Sequence, residues 1–164
     1  MKSGLAMVAA LLLISGVAAY WLSRRYGPEL TETQDLITGL IYFMEDHDAR
    51  FPASEDDFRA SPFIERTSDG IRVLPKSGTK YRRETHGILI RDLTPFKVAW
   101  GADLTSITID DRGKARWPDG SEAALVTWPS SPPSGRAYTQ MLCKIAEEMR
   151  RERSASSSQP GGTP

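Results

Sequence analysis

The chain has 164 residues, enough for one domain of ordinary size with appendages. Its 21 basic and 21 acidic residues cancel, but Lys2, Arg24 and Arg25 precede the first acidic residue, Glu29, so the remainder carries 18 basic and 21 acidic groups and a net charge of −3. This balance argues against nucleic-acid binding, because that function needs several cations on one face. The single cysteine, Cys143, excludes an internal disulfide framework and every multi-cysteine zinc site.

The N-terminal segment predicts a membrane anchor. Residues 5–22 form an uncharged, largely apolar run that is just long enough to cross a bilayer as a helix. Tyr20 and Trp21 would lie at the membrane interface, and Gly27-Pro28 would end the helix. A signal peptide cleaved before Tyr20 is the alternative. Basic residues flank the run on both sides, so charge gives almost no bias for orientation.

Two helices are predicted next. The first begins at a capping box formed by Thr31 and Gln34 and ends in a charged run ahead of Phe51-Pro52. The second is short, covers residues 55–60 and is capped by Ser54. The apolar face of the first helix is formed by Leu36, Ile37, Leu40, Ile41 and Met44.

A third helix is predicted near the C-terminus. It covers residues 136–153, after a loop over 129–135 that is rich in proline and serine. The polar tail, 154–164, has nothing to bury, and we expect it to be disordered. The apolar stripe of this helix is formed by Tyr138, Met141, Leu142, Ile145 and Met149.

Between the helices the pattern changes to short alternating runs separated by turn residues. The intervals leave no room for helical crossovers, so we expect an antiparallel sheet. The predicted fold class is α+β: an N-terminal transmembrane helix, an amphipathic helix packed on a small antiparallel sheet, and a C-terminal helix. The domains would be 1–28 (anchor), 29–153 (α+β domain) and 154–164 (tail). The strand positions are Ile71 and Val73; Ile88 and Ile90; Phe96, Val98 and Trp100; Ile107 and Ile109; and 124–128.

Three aspartates are the candidate metal ligands. Asp103, Asp110 and Asp111 lie in predicted loops of the sheet, and their carboxylates could hold a hard cation such as calcium. A hairpin turn is the alternative role for Asp110 and Asp111. A metal-dependent hydrolase built on these residues is the enzyme hypothesis. The acidic clusters at 45–48 and 55–57 match no EF-hand spacing and are interpreted as solvated surface.

Other catalytic chemistry has little support. His47 and His86 are flanked by polar or turn residues, and Cys143 lies beside the apolar stripe of the last helix, where a small buried side chain is the usual role. No nucleophile elbow, zinc-protease motif or nucleotide-binding loop occurs, so we expect no enzyme and no organic cofactor. The tryptophans are interpreted as packing residues, or alternatively as a sugar-binding platform, at Trp100, Trp117 and Trp128.

Three segments carry a family resemblance. They are the N-terminus, with Lys2 and Gly4 before the apolar run; residues 40–58, with Phe43, Asp46, Phe51-Pro52 and Glu55; and residues 80–103, with Tyr81, His86-Gly87, Asp92-Leu93 and Gly101-Ala102-Asp103. Together they are similar to the major pseudopilin of type II secretion systems.

The resemblance implies a non-enzymatic, membrane-anchored domain that faces the periplasm from the inner (cytoplasmic) membrane. Its partners would be the lipid bilayer and other pseudopilin subunits in a secretion pseudopilus. The family carries a glutamate at the fifth residue after the cleavage glycine, where this chain has Ala9. Its calcium loop follows Gly-Ala-Asp, where residues 104–109 instead predict a strand. The alternative is therefore a divergent tethered binding or scaffold module that no longer assembles into a fibre.

Overall fold

The computed structural model describes residues 31–81, 87, 89–128 and 132–157. In these residues the fold is α+β, with helices packed against small antiparallel two-stranded sheets. The elements are α1 (31–46), α2 (Glu55–Arg59), β1 (Ile64–Thr67), β2 (Gly70–Val73), β3 (Lys97–Val98), β4 (Thr108–Ile109), β5 (Ala115–Arg116), β6 (Val126–Thr127) and α3 (Pro132–Ser157).

Helix α1 forms the centre of the domain. Every residue from Asp35 to Met44 is buried, including Thr38, whose hydroxyl donates to the carbonyl of Gln34 at 2.8 Å. The predicted end of the helix before Phe51-Pro52 is confirmed. The predicted apolar face is confirmed, because its five residues are fully buried, and burial extends to the other residues of this stretch. Thr31, predicted to cap the helix from outside, is itself helical.

Helix α2 packs closely on α1 through a glycine. A Cβ atom on Gly39 would lie 2.9 Å from the ring of Phe58, closer than real Cβ contacts, so the absence of a side chain admits that ring. Phe58 is fully buried. Ser54 caps the helix as predicted, since its hydroxyl accepts from the backbone N–H of Asp57 at 3.1 Å.

Strands β1 and β2 form an antiparallel hairpin with Ile64 opposite Val73. Strand β1 was not predicted, because only one of its four residues is buried and the alternating pattern is absent. Ile71 extends the pairing to Ile90 through an isolated bridge. Gly70 makes this possible, because a Cβ there would lie 2.2 Å from the carbonyl oxygen of Ile90.

The predicted single sheet is instead three separate pairs among the described residues: β1 with β2, β3 with β6, and β4 with β5. Each of the last two pairs has two residues per strand. The strand predicted over 104–109 is reduced to Thr108–Ile109, because Asp103 accepts from the backbone N–H of Thr105 and turns the chain. The strand predicted over 124–128 is reduced to Val126–Thr127.

Helix α3 is longer than predicted at both ends. It begins at Pro132, inside the predicted loop, since proline is tolerated in a first helical turn. It continues to Ser157, inside the predicted disordered tail, where Ser154 and Ser156 hydroxyls donate to carbonyls four residues earlier. Residues 158–164 lie outside the described part. The helix packs on β5 and β6 through a buried stripe of Thr139, Leu142, Cys143, Ala146 and Met149.

Among the described residues, no helix is both long enough and apolar enough to cross a membrane. The predicted anchor at 5–22 lies outside the described residues, as do the alternative cleavage site before Tyr20 and residues Ala9 and His86. The anchor therefore stays a prediction from the sequence.

Candidate functional site

A cavity of about 530 Å³ opens where the end of α1, the loop after β3 and helix α3 meet. Its size falls in the range of small-molecule sites. Both buried apolar side chains and ionisable side chains line it. Its lining includes Phe43, His47, Asp48, Ala49, Arg50, Phe51, Asp57, Asp103, Leu104 and Arg150.

The chain leaves α1 through an unusual backbone conformation. Asp48 and Ala49 have φ angles of 57° and 59°, in the left-handed region that non-glycine residues rarely adopt. The N–H of Ala49 donates to the carbonyl of Met44 at 2.8 Å, and Ala49 is buried. Two consecutive left-handed residues turn the chain sharply, and the following Phe51 is buried. Such conformations cost on the order of 1 kcal/mol each and occur at ligand sites.

A glycine closes the opposite wall. Gly101 has a φ of 74°, and its N–H donates to the carbonyl of Pro52 at 2.7 Å. This bond joins two segments that lie about 50 residues apart in the chain and places Ala102 and Asp103 beside Phe51 at the cavity.

The ring of His47 is fixed at the end of α1 by two contacts with Phe43. Its ring stacks on Phe43 with centroids 3.9 Å apart and planes 7° apart. Its Nδ1 lies 2.9 Å from the carbonyl oxygen of Phe43, which fixes the ring orientation. His86 lies outside the described residues.

The carboxylates at the cavity already have partners. Asp48 forms an ion pair with Arg153 of α3. Asp57 accepts from the N–H of Ala53 at 2.9 Å. Asp103 accepts from both the hydroxyl of Thr105, at 2.6 Å, and its N–H, at 2.9 Å; these bonds lower the pKa of Asp103.

Two arginines, Arg50 and Arg150, also line the cavity. Arg150 is half-buried, and Arg50 donates only to the carbonyl of His47, at 3.3 Å. Neither forms an ion pair with a carboxylate among the residues that the structure describes, but the positive charge of Arg150 also helps to lower the pKa of Asp103. Neither arginine was predicted as a site residue, because nothing in the local sequence pattern places Arg150 beside the end of α1.

The predicted metal ligands serve as turn residues. Asp110 accepts from the N–H groups of Lys114 and Arg112 and from Nε of Arg116, at 2.8, 3.0 and 3.1 Å. The first of these bonds is the main cause of its lowered pKa. Asp111 is exposed in the same turn, and Asp103 caps the turn over 103–106.

Within 31–81, 87, 89–128 and 132–157, no three acidic, histidine or cysteine side chains come together as a metal site. The structure thus shows turn roles for Asp103 and Asp110 and brings neither into a cluster with Asp111. A calcium site at these three residues stays a prediction, as does the hydrolase hypothesis that depends on it.

Cys143 is buried, as predicted, and lines a second cavity of about 370 Å³ beside the first. Burial raises the pKa of its thiol to about 11, so it is almost entirely protonated at neutral pH. A thiol in this state is a poor nucleophile.

The tryptophans pack against the core. Trp128 is buried with its ring 5.9 Å from that of Tyr138, and Trp100 lies 6.0 Å from Phe58. Trp117 is also only half-exposed. These contacts agree with the packing role and give a flat sugar platform no support.

No protein-family model, curated protein or solved structure matches this chain.

Proposed function

We propose that the chain is a membrane-anchored, non-enzymatic domain that resembles a type II secretion pseudopilin and serves as a structural component of a secretion pseudopilus. Residues 5–22 would hold it in the inner membrane, with the α+β domain in the periplasm. Its partners would be the bilayer and other pseudopilin subunits.

One contact carries this proposal. The N–H of Gly101 donates to the carbonyl of Pro52 at 2.7 Å. Phe51-Pro52 and Gly101-Ala102-Asp103 belong to two separate segments of the chain that resemble pseudopilins. Their direct contact supports treating them as one corner of a domain rather than as two chance similarities. The corner follows a buried helix, α1, that would continue the chain from the anchor.

A tethered binding module is the second candidate, and the cavity favours it. A fibre subunit needs lateral contacts but no cavity, whereas a binding module needs one. Ala9 supports the same alternative, because the family uses a glutamate at that position for assembly.

Membrane topology can be tested with the chain's own cysteine as a control. Cys143 is buried with a raised pKa, so in intact cells the unmodified protein should react negligibly with a membrane-impermeant maleimide. Arg91→Cys adds an exposed thiol on the domain. We expect rapid labelling of that variant in cells with a permeabilised outer membrane and an intact inner membrane. Labelling only after inner-membrane lysis would contradict the periplasmic placement.

Assembly can be tested at position 9. Ala9→Glu restores the acidic residue of the family, and Ala9→Gln is the matched uncharged control. In cells that make a pseudopilus, the glutamate variant should co-purify with the other subunits more strongly than the glutamine variant. Equal and negligible co-purification of both, and of the unmodified chain, would reject the fibre and leave the tethered module.

A further inference from the structure

Strand β4 is the outer strand of a small antiparallel sheet. Strand β5 lies in the middle of this sheet, because it pairs with β4 on one side and Arg116 forms a bridge to Glu122 on the other. No described residue pairs with the opposite side of β4. In the described part of the chain, the sheet therefore ends at β4 with one edge open.

The register shows which backbone groups face this open edge. The carbonyl of Ala115 points away from β4, because it accepts from the N–H of Ala123 at 2.9 Å. Ile109 lies opposite Ala115, so the two form a non-hydrogen-bonded pair, and the N–H and C=O of Ile109 point outward. The next N–H, that of Asp110, points inward and donates to the carbonyl of Lys114 at 2.9 Å.

The side chains beside this edge form an apolar groove. Ile109 is 41% exposed and is one of two large apolar side chains exposed in the described part of the chain. It lines the cavity of about 370 Å³ together with the buried side chains of Leu104, Ile107 and Cys143. Because Cys143 belongs to α3, the groove lies between the open strand and that helix. A further strand at this edge would cover Ile109.

The charged side chains of the groove interact with other groups of the domain. Glu147 forms an ion pair with Arg151. Arg150 lies near Asp103, and its charge helps to lower the pKa of that carboxyl. The groove therefore has no unmatched charge for an ionic ligand, and an uncharged occupant fits it best.

The sequence of this edge leaves it open to pairing. Proteins usually protect an exposed strand edge with charged residues or proline. Strand β1 carries Glu65 and Arg66, whereas residues 106–109 contain neither a charged residue nor a proline. The outward N–H and C=O of one residue are matched by the backbone of another extended segment. A second copy paired only through the two-residue β4 would bury far less than the roughly 1,000 Å² of a stable interface, so a short peptide segment fits better.

We propose that β4 binds an extended, uncharged peptide segment of a partner protein, which adds as an antiparallel strand and places alternate apolar side chains in the groove. The backbone of the segment would exchange hydrogen bonds with Ile109. Its apolar side chains would contact Ile107, Ile109 and Cys143. This surface does not depend on the proposed role in a pseudopilus.

The test uses full-length protein in a nonionic detergent and a fluorescein-labelled peptide, Gln-Thr-Val-Thr-Val-Thr-Gln-amide. Fluorescence anisotropy measures binding, with empty micelles as the blank. In an antiparallel pair, residues that bond to Ile109 direct their side chains to the same face as Ile109, so the valine N–H groups should face β4. N-methylation of both valines should weaken binding at least about tenfold, whereas N-methylation of two threonines should change it less than about twofold. Equal effects, or no saturable binding of the unmethylated peptide, would overturn the proposal.

Three variants locate the surface. Ile109→Pro removes the outward N–H, which the pairing with β5 does not use, and should weaken binding of the peptide at least about tenfold. Ile109→Lys places a charge in the apolar groove, should weaken binding about as much, and decides the question if the proline variant does not fold. Leu74→Lys is the matched control, because Leu74 is 38% exposed and follows β2; it should change nothing.

Two results with these variants would overturn the proposal. The first is unchanged peptide binding by a folded Ile109→Lys, or an equal loss with Leu74→Lys. The second is self-association of the unmodified protein that Ile109→Lys abolishes, without any binding of the peptide. That result would assign the edge to a second copy of the chain.

Discussion

Helices α1 and α3 contribute to the domain in different ways. All residues from Asp35 to Met44 in α1 are buried, whereas α3 buries a single stripe and its last seven residues are all exposed. The first helix therefore holds the core together, and the second covers one side of it and supplies charged groups to the surface. Substitutions should be most costly in α1, and functional variation should be best tolerated on α3.

The largest expected effect is a truncation in α1. Leu40→Ala removes a fully buried side chain and should lower the free energy of unfolding by about 3 kcal/mol, through lost burial and a residual cavity. Ile145→Ala on α3 is the control, because that side chain is only half-buried and should cost less than half as much. Denaturant unfolding measures both. Equal losses would contradict the difference between the two helices.

The next effect comes from the contact of α1 with α2. Gly39→Ala places a methyl group 2.9 Å from the ring of Phe58, and overpacking should cost more than the gain in helix propensity, for a net loss of about 1 kcal/mol. Combining it with Phe58→Leu makes room, so the double variant should lose less than the sum of the two single variants. Strict additivity in a double-mutant cycle would show that the two residues do not compete for space.

Lys76 links the end of α1 to the segment after β2. Burial alone would lower the pKa of Lys76, but hydrogen bonds and attraction from Asp46 and Glu45 outweigh it and raise the pKa above 10.5. A raised pKa means that this contribution to stability is present below pH 10.5 and lost as the pH rises through the native pKa. Lys76→Met should cost about 1 kcal/mol at pH 7. Between about pH 10 and 12, the free energy of unfolding of the Lys76→Met variant should fall less steeply than that of the unmodified protein. Parallel curves would contradict this role.

The smallest effect is expected at the end of α3. Ser156 is exposed and its hydroxyl donates only to the carbonyl of Glu152, at 2.9 Å. Ser156→Ala replaces it with a better helix former, so the free energy of unfolding should change by less than about 0.5 kcal/mol. A larger loss would show that this end of α3 is packed against another part of the chain.

The features of the fold that could be predicted are those with a local signal in the sequence. The apolar spacing of α1, its end before Phe51-Pro52 and the Ser54 cap are local signals, and the structure agrees with them. The two-residue strands were overextended, because the turn around Asp103 interrupts an alternating run that looks continuous in sequence. The helical serines after Arg153 were missed because composition alone resembles a disordered tail.

The candidate site was predictable only in part. Phe51-Pro52 and Gly101-Ala102-Asp103 were singled out through the family resemblance, and they do meet. Arg150 could not be, because it reaches the cavity from a helix about 50 residues further along the chain. Its position beside Asp103, whose pKa its charge helps to lower, follows from the tertiary fold and not from the local sequence.

The measurement that tests the central proposal most directly is the N-terminal residue of the native protein, determined by mass spectrometry of membrane and soluble fractions. A chain that enters a secretion pseudopilus should begin at Leu5 and be found in the membrane fraction, because prepilin processing removes the residues up to Gly4. A start at Tyr20 in the soluble fraction would contradict both the anchor and the pseudopilus. An intact or Met-trimmed N-terminus in the membrane fraction would contradict the pseudopilus and leave a tethered module.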